Sequence, residues 1–298
     1  MPQHRYDIIA LDLDGTLLSP DGSVSPANRD AVRRARDAGI TVIVGTGRGL
    51  AESRHALDAI QQADPVVVAG GAIISDPISG HTLHRFGINE TLVSRGVDRM
   101  LSHDLPALVL KDPIAAGYDY LVVRGEQQLA LDPVTEWWFE KMNVKVRHTP
   151  RVSDDEHPEH TVRVGVCGRA RKLAQIRKDL DEVFGDSAIV HHFPAVVAPE
   201  HVRQTEDEGT LDILELFDKH ATKWNAITWI ADQRGIPATR IAAVGDEIND
   251  VAMIQAAGLG VAMGNAIPAV RNLAHRHTRT NREDGVAHAI NNILTGEW

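Results

Sequence analysis

The sequence predicts an α/β fold in which a core built on a parallel sheet is interrupted by a second α/β unit. Two observations carry this expectation. Three short, β-branched apolar runs each end in a polar, glycine-containing loop followed by helical periodicity, the pattern of strands buried on both faces of a parallel sheet. Between the second and third of these runs lies a long segment with its own alternation of helices and strands. A chain of 298 residues also suits about two domains.

The first run, from Tyr6, ends at Asp12. Ser25 and Pro26 supply an N-cap and a first-turn proline for a helix through Ala38, which Gly39 stops. The second run, Ile40 to Val44, opens into Gly45-Thr46-Gly47-Arg48, and a further strand from Pro65 to Ala69 leads into Gly70-Gly71-Ala72. A turn at residues 76–80 returns the chain as a strand to Arg85. The middle segment reads as a helix from Glu90 to His103 and strands at 107–111 and 120–123. A helix at 134–142, strands at 144–147 and 161–167, a helix at 170–184 and a strand at 188–193 follow. Residues 198–209 look like an exposed loop leading back to the first unit. The helix from Lys223 to Gln233 and the third run, Arg240 to Val244, complete the core, and that run ends in Gly245-Asp246-Glu247-Ile248-Asn249-Asp250. The expected division is 1–87 and 210–298 for the core, with 88–209 inserted.

Composition narrows the class. With 43% hydrophobic residues the chain can bury a core without staples, and its one cysteine rules out an intramolecular disulfide. Cys167 sits in an apolar run and reads as a buried structural thiol. A net charge of −10 argues against a general nucleic-acid partner. No apolar run approaches the roughly 20 residues of a membrane span. The N-terminus lacks the basic-then-apolar pattern of a signal peptide, so no membrane partner and a cytoplasmic location are expected. Oligomeric state stays open.

In open parallel sheets ligands sit at the carboxyl ends of strands. All three polar loops lie at such ends and can converge. Asp12 and Asp14 bracket the end of the first strand, where two carboxylates repel unless a cation or a shared proton intervenes. Mg²⁺, which prefers oxygen ligands, suits them. A calcium loop does not fit, because Gly15 falls too early and the third acidic ligand is missing. The loop 45–49 opens a helix, so its backbone N–H groups can face an anion. Thr46 adds a hydroxyl donor and Arg48 a planar cation suited to phosphate. Leu50 in the third glycine position excludes the dinucleotide fingerprint. Asp246, Asn249 and Asp250 add oxygen ligands at the third strand end.

Four motifs in this order, Asp12-Leu13-Asp14-Gly15-Thr16, Thr46-Gly47-Arg48, Lys223 and Gly245-Asp246-x-x-Asn249-Asp250, make the chain resemble the haloacid dehalogenase-like phosphatase superfamily, in its Cof-type branch. Met253, the run Val261 to Ala266 and the run Glu283 to Ala287 match the same branch. Two positions depart from it: Gly70 stands where asparagine is common, and Trp224 follows Lys223 where glycine is usual. The resemblance implies a Rossmann-like parallel-sheet core with an inserted α/β cap domain. It also implies a Mg²⁺-dependent phosphatase acting on a small phosphorylated metabolite through an aspartyl-phosphate. Asp12 is then the nucleophile and Asp14 the acid and base. Thr46, Gly47, Lys223 and Asn249 bind phosphate. Asp12, Asp246, the backbone carbonyl of Asp14 and Asp250 hold the metal, Asp250 directly or through bound water.

A sugar phosphomutase remains an alternative, needing a second phosphate patch for which Arg124, Arg147, Arg163 and Arg169 are available but scattered. A non-catalytic phospho-ligand sensor is another, disfavoured by the intact carboxylates. The segment 154–160, despite its His-x-x-His spacing, reads as a solvated loop, and Trp137-Trp138-Phe139 as core or interface. Lys111 is a candidate to touch substrate from the inserted unit.

Overall fold

The computed structural model describes residues 4–195 and 210–298. They fall into two compact units, Met1–His84 with Thr222–Trp298, and Arg85–Ala221. The expected return loop at 198–209 lies outside the described residues. In chain order the strands are β1 (Ile8–Asp12), β2 (Thr41–Gly45), β3 (Val66–Val68), β4 (Ile73–Ser75), β5 (Thr82–Arg85), β6 (Ala107–Lys111) and β7 (Tyr120–Val123). Then come β8 (Val146–Thr149), β9 (Thr161–Arg169), β10 (Ala188–Pro194), β11 (Leu211–Asp218), β12 (Ile241–Gly245), β13 (Leu259–Ala262) and β14 (Arg276–His277).

The core sheet has the order β14-β13-β12-β1-β2-β3-β4-β5. β1 is central and parallel to both neighbours, β2 and β12, and all five of its residues are buried, as its unbroken apolar run requires. Register decides what happens at its end. Asp12 pairs with Gly45, and Leu11 with Val244, so the loops after β1, β2 and β12 leave the sheet side by side. The helix Pro26–Asp37 starts as its sequence dictates: the Ser25 side chain accepts from Asn28 N at 3.1 Å, and Pro26 occupies the first turn. Its buried face is Ala31, Val32 and Ala35, while Asp30, Arg33 and Arg34 pair on the exposed face.

The inserted unit has a six-stranded sheet of order β10-β11-β9-β6-β7-β8, antiparallel except for the β7–β8 pair. The helices Glu90–Ser102 and Ala170–Phe184 present Val93, Val97 and Met100, and Leu173, Ile176 and Leu180. These residues share one apolar cluster with Val109, Val164, Val166, Leu214 and Leu216 of the strands. The spacing is that of amphipathic helices lying on a sheet.

Both boundaries differ from the sequence reading, the first by three residues, at His84 rather than 87, and the second by more. Residues 211–218 were expected in the second part of the core, yet β11 pairs along its length with β10 and with β9, and buries Leu214 and Leu216 in the inserted unit's cluster. The segment alternates, with Leu214 and Leu216 on one face and Glu215 and Phe217 on the other, a two-residue period. The core therefore resumes at Thr222 rather than at 210. Lys111 also differs from expectation. It is fully buried, and its ammonium donates to Asp155, to Thr161 Oγ1 at 2.6 Å and to the His157 carbonyl at 3.1 Å. Its charge is spent inside the unit. Cys167 is buried and burial pushes its thiol pKa up, which keeps it protonated and inert. Among the described residues no helix is long and apolar enough to cross a membrane.

Candidate active site

The site lies within the core unit and is built from four loops. β1 delivers Asp12, 4% exposed, to the carboxyl end of the sheet. The chain then turns tightly through Leu13–Leu17 with Gly15 at φ +75°. Gly15 has a second reason to lack a side chain: a Cβ there would stand 2.1 Å from Asp246 Oδ2. The close approach is held by three hydrogen bonds. Thr16 Oγ1 donates to Asp246 Oδ1 at 2.8 Å, and Asn265 Nδ2 donates to the Gly15 carbonyl at 2.8 Å and to Asp246 Oδ2 at 3.2 Å.

Lys223 opens the helix Lys223–Asp232, with Thr222 as N-cap accepting from Asn225 N at 3.0 Å. Gly71 lets this helix start come close. Its φ is +110°, and a Cβ would fall 2.1 Å from the Thr222 carbonyl carbon, so only glycine fits there. The Lys223 side chain is buried, and Nζ donates to Asp12 Oδ1 at 2.5 Å and to Asp250 Oδ1 at 2.6 Å. Trp224 does not disturb this placement. The other oxygen of Asp250, Oδ2, accepts from the Asp246 and Glu247 amides at 2.8 and 3.1 Å. Asp250 thus ties the loop after β12 to the lysine.

Electrostatics follow from counting charges. The carboxylates of Asp12, Asp246 and Asp250 offer oxygens all within 4.8 Å of one another, against one ammonium. Burial pushes the Asp12 pKa well above its ordinary value, and the Asp250 charge adds to the push while Lys223 opposes it. Burial, then Asp250, raises Asp246 to about 7. For Lys223 burial works the other way, but the Asp12 and Asp250 charges outweigh it and hold the ammonium above its ordinary value. The cluster has negative charge in excess, all of it on hard oxygen donors. A dication with oxygen preference fits this set, and Mg²⁺ is such an ion.

Asp14 is brought to the same strand end but not into that cluster. Its carboxylate takes both arms of Arg48, Nη2 to Oδ1 at 2.5 Å and Nε to Oδ2 at 2.9 Å. Arg48, read from sequence as a cation for phosphate, is instead committed to Asp14. Thr46 is buried, and its Oγ1 accepts from Arg48 N at 3.1 Å, which leaves its hydroxyl proton to donate elsewhere. Asn249 lies beside Gly47, its Nδ2 3.9 Å from where a Gly47 Cβ would stand, and its buried Oδ1 has no hydrogen-bond partner. Asn265 was not singled out by sequence reasoning. The run Val261 to Ala266 was noted there, but nothing in its composition announces the bridge its asparagine makes.

Comparison with known proteins gives a consistent result. A family model for haloacid dehalogenase-like hydrolases matches residues 9–290. The chain is 29% identical over 293 residues to the phosphatase YwpJ of Bacillus subtilis (strain 168), spanning 96% of this chain and 99% of that protein. It is 28% identical over 314 residues to the 5-amino-6-(5-phospho-D-ribitylamino)uracil phosphatase YwtE of the same organism, spanning 97% of this chain and 99% of the relative. Among solved structures, a haloacid dehalogenase-like hydrolase from Bacteroides thetaiotaomicron aligns with TM-score 0.76 at 25% identity, over 97% of this chain and 99% of that one.

The two constraints on Gly15 can be separated. Gly22→Ala meets only a left-handed backbone, φ +80° with open space around it, and should cost about 1–2 kcal/mol. Gly15→Ala must in addition displace Asp246, so urea denaturation should show a distinctly larger loss. Equal losses would contradict the close packing of these two loops.

Proposed function

The chain belongs to the haloacid dehalogenase-like hydrolase family, as one of its phosphatases, and we propose on that premise that it hydrolyses a small metabolite's phosphate monoester through a phosphoryl group carried on Asp12. The observation that carries this is the joint placement of Asp12, Asp246, Asp250 and Lys223, three carboxylates and one ammonium at adjacent strand ends. Asp12 Oδ1 is held by Lys223, and Oδ2 receives no hydrogen bond from the described residues, so one oxygen is oriented and the other is left to react.

Asp12, Asp246, Asp250 and the backbone carbonyl of Asp14 are the groups that hold Mg²⁺. When bound, the ion offsets the repulsion between the Asp12 carboxylate and a phosphate dianion. Asp12 attacks phosphorus, and the bond to the ester oxygen breaks as Asp14 gives that oxygen its proton. Asp14 then takes a proton from water as the water attacks the same phosphorus, and Asp12 leaves with inorganic phosphate as product. Lys223 has three donors and spends two on carboxylates, so the third serves a phosphoryl oxygen. The Thr46 hydroxyl, the Gly47 N–H and the Asn249 amide serve the others, where transition-state charge is spread. Arg48 fixes the direction of Asp14.

The substrate class is a phosphorylated sugar or sugar alcohol derivative. Support comes from the relative named for a phosphoribitylamino-uracil. Hydrolysis is favoured over phosphoryl shuttling because two of the four arginines considered for a second phosphate patch, Arg124 and Arg163, are committed inside the inserted unit, and Arg147 is paired at its exposed surface. Arg124 donates to the Leu129 and Gln128 carbonyls, Arg147 pairs with Glu156 at 2.8 Å, and Arg163 pairs with Glu215 at 2.6 Å.

One assay tests the proposal. Hexose and pentitol phosphates incubated with the chain and Mg²⁺ should release inorganic phosphate, a chelator should stop this reversibly, and Asp12→Asn should lower kcat by roughly 10⁴-fold or more with the fold intact. Isomerised sugar phosphate without phosphate release, or a near-normal Asp12→Asn variant, overturns it. A second variant isolates the Arg48 fork. Arg48→Lys keeps the charge but loses two-point contact with Asp14. It should lower kcat about ten- to a hundredfold with KM little changed. An unaltered kcat contradicts the positioning role.

A further inference from the structure

We propose that the inserted unit carries a metal site of its own, in which His157, Glu159 and His160 seat a transition-metal dication of the Zn²⁺ class. The three residues share one short turn, His157 leading into the 3₁₀ turn Pro158–His160, and each offers a ligand atom within 4.8 Å of the other two. Glu159 Oε1 stands 3.1 Å from His160 Nε2. Ligand atoms about 2.0–2.2 Å from a tetrahedral zinc lie roughly 3.4 Å apart, so this pair is already at the required spacing. The two imidazoles lie at 25° to one another with ring centroids 5.9 Å apart.

The backbone that carries these groups is fixed at both ends. His157 N donates to Asp155 Oδ1 at 3.0 Å, and the His157 carbonyl accepts from Lys111 Nζ at 3.1 Å. His160 N closes onto the His157 carbonyl at 3.0 Å, and the His160 carbonyl accepts from Asp112 N at 2.8 Å. Lys111 and the Asp155 side chain are buried against each other, which pins this segment although Asp154, Glu156 and Glu159 stay exposed, as its composition suggests. The pairing also offsets the lysine's charge next to the seat. A turn held in this way loses little conformational freedom when an ion binds, which favours affinity.

The donor set decides which ion. Two imidazoles and one carboxylate suit zinc, copper or nickel, whereas Mg²⁺ prefers the oxygen-only group at Asp12. Three protein ligands leave a fourth position for water. Glu159 is exposed and free to close on the ion, tying the turn together.

Zn²⁺ titrated calorimetrically into the untagged chain, with Mg²⁺ in large excess to occupy the carboxylate cluster, tests this. One Zn²⁺ should bind per chain. His157→Ala, His160→Ala and the exposed Glu159→Gln should each weaken it about tenfold or more, while Asp246→Asn leaves it unchanged. Co²⁺ in place of Zn²⁺ should show visible ligand-field bands that the histidine variants lose. Absence of Zn²⁺ binding, binding indifferent to all three variants, or binding lost in Asp246→Asn instead, overturns the proposal.

Discussion

A single buried ammonium organises the core. Lys223 Nζ lies between Asp12 and Asp250, at 2.5 and 2.6 Å, and its side chain has no exposed surface. An ammonium in such a place stays charged only because carboxylates meet it, and removing one partner of a buried ion pair costs about 3–5 kcal/mol. The rest of the site is arranged to make the contact possible. Gly71 allows the helix start at Thr222 to come against the chain, and the parallel register of β1, β2 and β12 puts Asp12 next to the loops carrying Thr46 and Asp250. Residues 211 positions apart in sequence are thereby held at hydrogen-bond distance.

The same contact divides the acidic groups into two kinds. Asp12, Asp246 and Asp250 form a crowded group whose excess negative charge calls for a cation, and burial drives Asp12 and Asp246 toward protonation. Asp14, two residues from Asp12, faces Arg48 instead. Two carboxylates on one short turn thus meet different surroundings, one shared with a metal-seeking cluster and one paired with a guanidinium. Asn265 and Thr16 hold the turn and the loop of Asp246 together while this arrangement persists.

Much of this was legible in the sequence because it rests on local rules. β1, β2 and β12 announced themselves as β-branched runs, and the polar loops at their ends followed from how parallel sheets place ligands. Ser25-Pro26 read directly as a helix start. What stayed hidden depended on distant partners. The two-residue period of Leu211–Asp218 is short and borders the expected return loop, so the sequence reading includes no strand there and places these residues with the core, whereas they belong to the inserted unit's sheet. Arg48 looks suited to phosphate in the sequence because spacing does not reveal that it reaches Asp14. Asn265 acts through a carbonyl and a carboxylate on two other loops. Asp155 and Lys111 turn an apparent surface loop into a pinned one, which no composition rule anticipates.

The central claim is that the phosphoryl group passes through Asp12. The most direct measurement is rapid quenching of the enzyme during turnover, reduction with borohydride to convert an acyl phosphate to homoserine, and mass spectrometry of the peptides. The account predicts the modification at Asp12, dependent on substrate. Modification at another residue, or none at Asp12 under conditions of full turnover, would contradict it.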